Sequence, residues 1–267
     1  MKKLFTAILF VCMSIAATAQ TVIYTAEDTT LYYRIWSRTH GNMLPAAQYM
    51  LDTPYVPGTL EQNPSETLTV NLRQVDCTTL VEQVLAIHAS NGTFADFCRQ
   101  LQRLRYADGK VEGYASRLHY FTAWIDNATQ IGLLHDVTDS IGGIATRMHI
   151  NFMTTHPDFY PALADSAALR SIAQQEQLLS QWERHYVPKE QLAVAADRIR
   201  DGDILALTTA TEGLDITHVG IACHDMNGEL RMLHASSARK RVTFTNTLAE
   251  YLDNNPDFTG IMVLRVR

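Results

Sequence analysis

The periodicity of the chain changes at Asp201-Gly202, and that change limits the folds open to it. Before this point apolar residues recur mostly at helical spacing. After it come short runs rich in Val, Ile, Leu and Thr, divided by turn residues. The runs are Asp203 to Thr208, Thr217 to His224, Glu229 to Ala235, Arg241 to Thr245 and Gly260 to Val266. Helices first and strands later predict an α+β fold with an antiparallel sheet. Between the second and third runs, Met226, Asn227 and Gly228 read as a three-residue hairpin loop with Gly228 left-handed. Residue 225 then faces 229, and residue 220 faces 234. In that register His218, Gly220 and Ala222 share a face with His234 and Ser236. The two histidines become diagonal neighbours within side-chain reach, and Gly220 is expected to leave the space between them open.

In the helical half, the stretch Val75-Asp76-Cys77-Thr78-Thr79-Leu80-Val81-Glu82 stands out. Leu80, Val81, Val84 and Leu85 follow at helical spacing, and Cys77 lies on the same stripe. The helix is expected to run to about Ser90, with Asp76 as its N-cap. The positive end of its dipole is expected to favour a thiolate. The competing reading is a buried structural thiol, since free Cys is among the most buried residue types. If Cys77 is a nucleophile, His218 is placed to take its proton, and His234 to orient the His218 ring. Backbone N–H groups at the helix start are placed to stabilise an oxyanion.

Other helices are expected over Thr29 to Ser37, Asn42 to Leu51, Thr93 to Tyr106, Ser116 to Leu134, Asp165 to His185 and Lys189 to Ile199. Thr67 to Leu72 reads as a short strand. Thr53 to Glu61 carries two prolines and Gly58, the pattern of a rigid loop. Arg147 to Pro157 is rich in side-chain donors.

The first residues read as a leader of 19: Lys2 and Lys3, an apolar run from Leu4 to Ala16, then Ala17-Thr18-Ala19 with cutting before Gln20. The run is too short to span a membrane, and the expectation is an exported protein, periplasmic or secreted. Loss of Lys2 and Lys3 takes the formal charge from −6 to −8. With no Lys/Arg cluster, this excludes a nucleic-acid partner on electrostatic grounds. Three cysteines remain, Cys77, Cys98 and Cys223, so at least one thiol has no partner within the chain. Whether Cys98 and Cys223 pair is open at this level. His149 and His156 lie seven apart, a poor spacing for metal ligands, and no metal or other cofactor is expected.

Asp76-Cys77-Thr78-Thr79-Leu80-Val81, Gly202-Asp203-Ile204-Leu205, His218-Val219-Gly220-Ile221 and His234-Ala235-Ser236 occur in that order. Together they resemble the NlpC/p60 superfamily of papain-like cell-wall peptidases. The usual Ser-Gly after the Cys is Thr78-Thr79 here, and about 110 residues separate the helix from the Gly-Asp strand. Those departures, with Thr53-Pro54-Tyr55, Asn71-Leu72-Arg73-Gln74 and Asn151 to Pro157, are similar to its N-acetylmuramoyl-L-alanine amidase-like branch. The resemblance implies a papain-like core, with the Cys at the N-terminus of a central helix packed on an antiparallel sheet. It implies one domain from residue 20 to 267 with a large helical insertion over about residues 92–188. It also implies a cysteine amidase acting on peptidoglycan fragments as a monomer, cutting between N-acetylmuramic acid and L-alanine. Carried over by position, Cys77 is the nucleophile, His218 the base, His234 the orienting residue, and Tyr55 lines the reacting centre. Arg147, Asn151 and Thr155 are the candidates for holding substrate; hydrogen bonding within their own loop is the plainer reading of all three. The alternatives are cleavage of a γ-D-glutamyl–diamino acid bond and an inactive wall-binding module.

Overall fold

The computed structural model describes residues 21–267, so the expected leader lies outside the described residues. The helical half begins with β1 (Val22–Ile23), α1 (Ala26–Thr39), α2 (Met43–Tyr49) and β2 (Leu68–Thr69). Then come α3 (Cys77–Ala89), α4 (Phe94–Arg105) and α5 (Phe121–Gln130). The middle of the chain holds β3 (Leu134–Asp136), β4 (Ile144–Arg147), α6 (Phe152–Thr155), α7 (Ser166–Leu179), β5 (Glu183–Pro188) and α8 (Leu192–Ala195). The last third forms β6 (Ile204–Thr209), β7 (Ile216–His224), β8 (Leu230–Ser236), β9 (Arg241–Phe244), α9 (Leu248–Asp253) and β10 (Phe258–Val266). The result is the expected α+β arrangement: an antiparallel sheet in the order β4-β5-β10-β6-β7-β8-β9, with β3 also on β10.

One face of the sheet, through Val219, Ile221, Leu233 and Ala235, packs on the apolar stripes of α1 to α5. The other face, through Leu205, Leu207, Ala222 and Met232, packs on α8 and α9. A smaller cluster of Tyr120, Ile150, Met153, Leu163 and Ile172 sits under the middle segment.

The middle segment departs from its expected helicity. Arg117 to Tyr120 is not helical, because Arg117 bridges back to Tyr106 and its side chain is held by Glu61 and Glu66. The helix that starts at Ser166 stops at Leu179; Glu183 to Pro188 is recruited as a strand between β4 and β10. Pairing within the sheet here overrides local helical preference. Lys189 to Ile199 forms only short turns around α8. Residues 92–188 hold α4 to α7 but are not helical throughout: they also supply three strands of the sheet, and α4 packs directly into the main core.

Inside that core α3 and α4 are joined by a buried ion pair. Arg105 Nε donates to Glu82 Oε2 at 2.8 Å, with side chains 1% and 3% exposed, and Arg105 Nη1 donates to the Thr69 carbonyl at 2.7 Å. Removing one member leaves an uncompensated buried charge. Arg105→Met is expected to cost about 3–5 kcal/mol in urea unfolding, and adding Glu82→Leu to recover much of that loss. A single variant within 1 kcal/mol of the parent would show that the pair is dispensable.

Candidate active site

Cys77 opens α3 because Asp76 caps it. Asp76 Oδ1 accepts from Thr79 N–H, and the Thr79 hydroxyl accepts from Asp76 N–H, both at 2.8 Å. This is a capping box with Thr at the third position. The Pro-rich loop docks beside it: Val75 N–H donates to the Pro54 carbonyl and Val56 N–H to the Val75 carbonyl, each at 3.0 Å. Tyr55 is thereby brought next to Cys77 despite the sequence gap, and Cys77 is among the groups that raise its phenol pKa, after burial.

The expected hairpin register is the observed one. Cys223 faces Arg231, Ile221 faces Leu233, Asp225 N–H donates to the Glu229 carbonyl, and Gly228 has φ 80°. His218 and His234 meet edge to face, with Nε2 of the first 2.6 Å from Nδ1 of the second. The expectation for Gly220 fails. Its missing Cβ is replaced by Met232, whose Cγ lies 2.5 Å from where that Cβ would be. The glycine admits a packed side chain rather than an opening.

Two irregularities flank the place where sulfur and imidazole meet. Leu207 pairs with His218 but Thr208 pairs with Ile216, so Thr217 is an extra, unpaired residue in β7. A bulge reverses the alternation of side chains. Ile216 accordingly lies in the α3-side core, whereas His218 projects to the other face, against Tyr251 of α9. Both rings therefore leave the sheet on the face that α3 does not cover. The second irregularity is that β7–β8 pairing ends at Ile221–Leu233. The Val219 N–H, beyond that point, is directed at the Cys77 sulfur. Cys77, Thr78, Thr217, His218 and Val219 line one cavity of about 130 Å³. Among the described residues, no hydrogen bond joins the sulfur to the His218 ring; its polar partners are Val219 and Thr78.

Burial dominates the electrostatics. It pushes the Cys77 thiol up to about 11, with the Asp76 carboxylate adding to the rise and the Val219 and Thr78 groups opposing it. Burial, then the neighbouring His234, pushes His218 down to about 3. The expected thiolate is thus overturned. A helix dipole contributes about 0.3–1 kcal/mol, less than one pKa unit, which is too little to offset that desolvation. The resting pair is a neutral thiol beside a neutral imidazole.

The remaining candidates are dispersed. Arg147 lines a cavity of about 310 Å³ that shares Leu214 and Asp215 with the Cys77 cavity. Asn151 and Thr155 line a further one of about 360 Å³, which shares Thr211 and Glu212 with the second. The Thr155 hydroxyl donates to the Asn151 carbonyl at 2.8 Å, and the Asn151 amide meets His149 Nε2 at 3.1 Å, so both polar groups are engaged locally. Arg147 has no ion-pair partner among the described residues. Gly213 lets Asn151 approach; its Cβ would lie 2.3 Å from Asn151 Oδ1. Cys98 and Cys223 are free, buried thiols. Sequence reasoning missed Tyr251, whose ring lies 5.2 Å from that of His234 and 6.1 Å from that of His218. No motif marks it, and 174 residues separate it from Cys77.

A family model described as AmiA-like, N-acetylmuramoyl-L-alanine amidase-like, matches residues 46–261. Among solved structures, an N-acetylmuramoyl-L-alanine amidase from Bacteroides uniformis ATCC 8492 is 42% identical, with a TM-score of 0.81, covering 85% of this chain and 99% of its own. A Bacteroides fragilis protein provisionally named a xylanase is 43% identical, with a TM-score of 0.78 over 82% of this chain and 99% of its own. A Legionella pneumophila protein, 21% identical with a TM-score of 0.68 over 90% of this chain and 93% of its own, shares the fold. No curated protein matches the chain.

A thiol raised above its ordinary pKa holds less thiolate at pH 7 than free cysteine does. Alkylation of Cys77 by iodoacetamide, followed by mass spectrometry of the Cys77 peptide, is expected to be slower than that of free cysteine at pH 7. It is expected to climb about tenfold per pH unit toward pH 9. A plateau between pH 5 and 8 would instead indicate a resting thiolate–imidazolium pair.

Proposed function

The chain belongs to the N-acetylmuramoyl-L-alanine amidase-like family, and on that footing we propose that it is a cysteine amidase of peptidoglycan fragments. Its bond is the amide between the lactyl carboxyl of N-acetylmuramic acid and L-alanine. The observation that carries the reading is the 2.6 Å contact from His218 Nε2 to His234 Nδ1 at the rim of the cavity that holds Cys77. In this reading the core is papain-like and akin to NlpC/p60, and residues 20 onward act as one domain outside the cytoplasm.

The proposed steps follow from that contact. The His218 Nε2–H donates to His234 Nδ1, which leaves a lone pair on His218 Nδ1. As the sulfur attacks the lactyl carbonyl, its proton passes to His218 Nδ1. The N–H groups at the start of α3, which have no partner within the helix, stabilise the oxyanion. His218 then protonates the alanyl nitrogen, the C–N bond breaks, and the peptide leaves with a free amine. A thioester links the muramoyl acid to Cys77. Water, activated by His218, attacks the thioester, releases the sugar acid and restores the thiol. The neutral resting pair suits this order, since His218 starts as a free base. His234 serves to hold the tautomer and to spread the charge of the imidazolium.

The test uses N-acetylmuramoyl peptides with L-Ala, D-Glu and a diamino acid, with products identified by mass spectrometry. Free peptide beginning with L-Ala is expected. Cys77→Ala is expected to lower turnover by about 10³-fold or more, and His234→Ala by less. Release of an L-Ala-D-Glu dipeptide, or of sugar still carrying it, would move the bond to the γ-D-glutamyl linkage. Binding without turnover would leave a wall-binding module.

A further inference from the structure

His119 holds an unused acceptor on the wall of the cavity that Cys77 also lines. Its Nε2 lies 2.8 Å from the Tyr114 carbonyl oxygen. A carbonyl can only accept, so the proton sits on Nε2 and Nδ1 carries a lone pair. Among the described residues no donor meets that Nδ1. The ring is fixed from several sides. The Tyr114 ring is tilted against it at 4.2 Å, Arg117 lies 5.1 Å from the Tyr114 centroid, and Glu61 and Glu66 hold Arg117. Burial, then the Arg117 charge, pushes the His119 pKa down to about 3, so the ring stays neutral near pH 7.

Its position gives this acceptor a use. Thr78, Leu118 and His119 line both the cavity that holds Cys77 and a neighbouring cavity of about 240 Å³ beside Glu61 and Asp76. A substrate crossing from one to the other passes this rim next to the reacting carbonyl. We propose that His119 Nδ1 accepts a hydrogen bond from a substrate N–H or O–H adjacent to the scissile amide, making His119 a specificity-determining residue. A substrate presenting an oxygen lone pair there meets another lone pair and is disfavoured. One that lacks the donor leaves a desolvated acceptor unpaired. The proposal rests on the amidase reading for the identity of the substrate. In a muropeptide two groups qualify: the acetamido N–H of the sugar, and the N–H joining the first and second stem residues.

The experiment compares kcat/KM for the parent muropeptide with two N-methylated versions, one at each of those nitrogens. The proteins are wild type, His119→Phe and His119→Asn. His119→Phe is expected to lose about 10- to 100-fold on the parent. His119→Asn, whose amide can donate to Tyr114 and present its oxygen to the cleft, is expected to recover most of it. One N-methylated substrate is expected to be poor with wild type and to suffer no further loss with His119→Phe. Equal losses on all three substrates, or a His119→Phe value within twofold of wild type, would overturn the proposal. Should His119→Phe fail to fold, the ¹⁵N resonance of His119 Nδ1 in the Cys77→Ala protein gives the second measurement. It is expected to move upfield on saturation with the parent muropeptide, and bound ligand with an unmoved resonance would overturn the idea. Product masses separately report which bond is cut, so a failed amidase assignment is distinguished from a failed His119 assignment.

Discussion

The phase of β7 is the constraint on which the site depends. His218 keeps the phase of Gly220 and Ala222 through its regular pairing with Leu207, so its ring leaves the sheet on the face where His234 supplies a partner at 2.6 Å and Tyr251 closes over both. The extra residue at Thr217 lets Ile216, two positions earlier, turn the other way, into the apolar core between sheet and helices. Regular alternation would instead have put the Ile216 side chain beside the His218 ring. Cys77 approaches from the helix side. The two meet because the β7–β8 ladder stops at Ile221–Leu233 and the Val219 N–H is directed at sulfur. The contact is made by withholding regular pairing at one point, which the pairing on either side stabilises.

Burial sets the protonation of the site. Thiol and imidazole are both desolvated, and each is driven toward its neutral form. In the proposed mechanism the helix N-terminus still matters, but for the oxyanion, where its N–H groups would act on charge that forms during reaction, rather than for a charge stored on sulfur. A stored thiolate would have to be supported against desolvation and the nearby Asp76 carboxylate before any substrate arrives. Asp76 remains because it caps α3, and the cap is what holds Cys77 at the helix tip.

Much of this was legible in the residues. The capping Asp76, the stop at Ser90, the Thr93 cap and the hairpin register set by Gly228 all follow from local rules, and the coordinates agree with them. Local rules also explain the failures. No glycine or proline separates α7 from the strand at Glu183 to Pro188, and its pairing with β4 and β10 is what turns it into sheet. The Thr217 bulge leaves no mark in the sequence, because Thr suits a regular strand as well as an irregular one. Gly220 read as open space between the histidines, but the diagonal neighbour Met232 fills it, and no local rule names that neighbour. Tyr251 and the Tyr114–His119 contact belong to elements whose placement is tertiary throughout.

The segment between α3 and β6 has a role that its length alone does not suggest. An appended helical cap could be trimmed or moved without cost to the sheet. Here β3 and β5 both pair with β10, the strand next to β6, so the segment is built into the layer that carries His218. The same segment supplies Leu118, His119, Tyr120 and Phe121 to the Cys77 cavity, and Asp215 ties the two together by accepting from the Thr122 N–H and hydroxyl at 2.8 Å. Cleft wall and sheet edge are thus one piece of chain under one set of hydrogen bonds. Loosening the wall to admit a larger substrate would loosen β10 as well. The shape of the cleft is for that reason restrained by the stability of the fold, and variation in what it accepts is easiest at side chains that project from the wall, such as His119, with the backbone left in place.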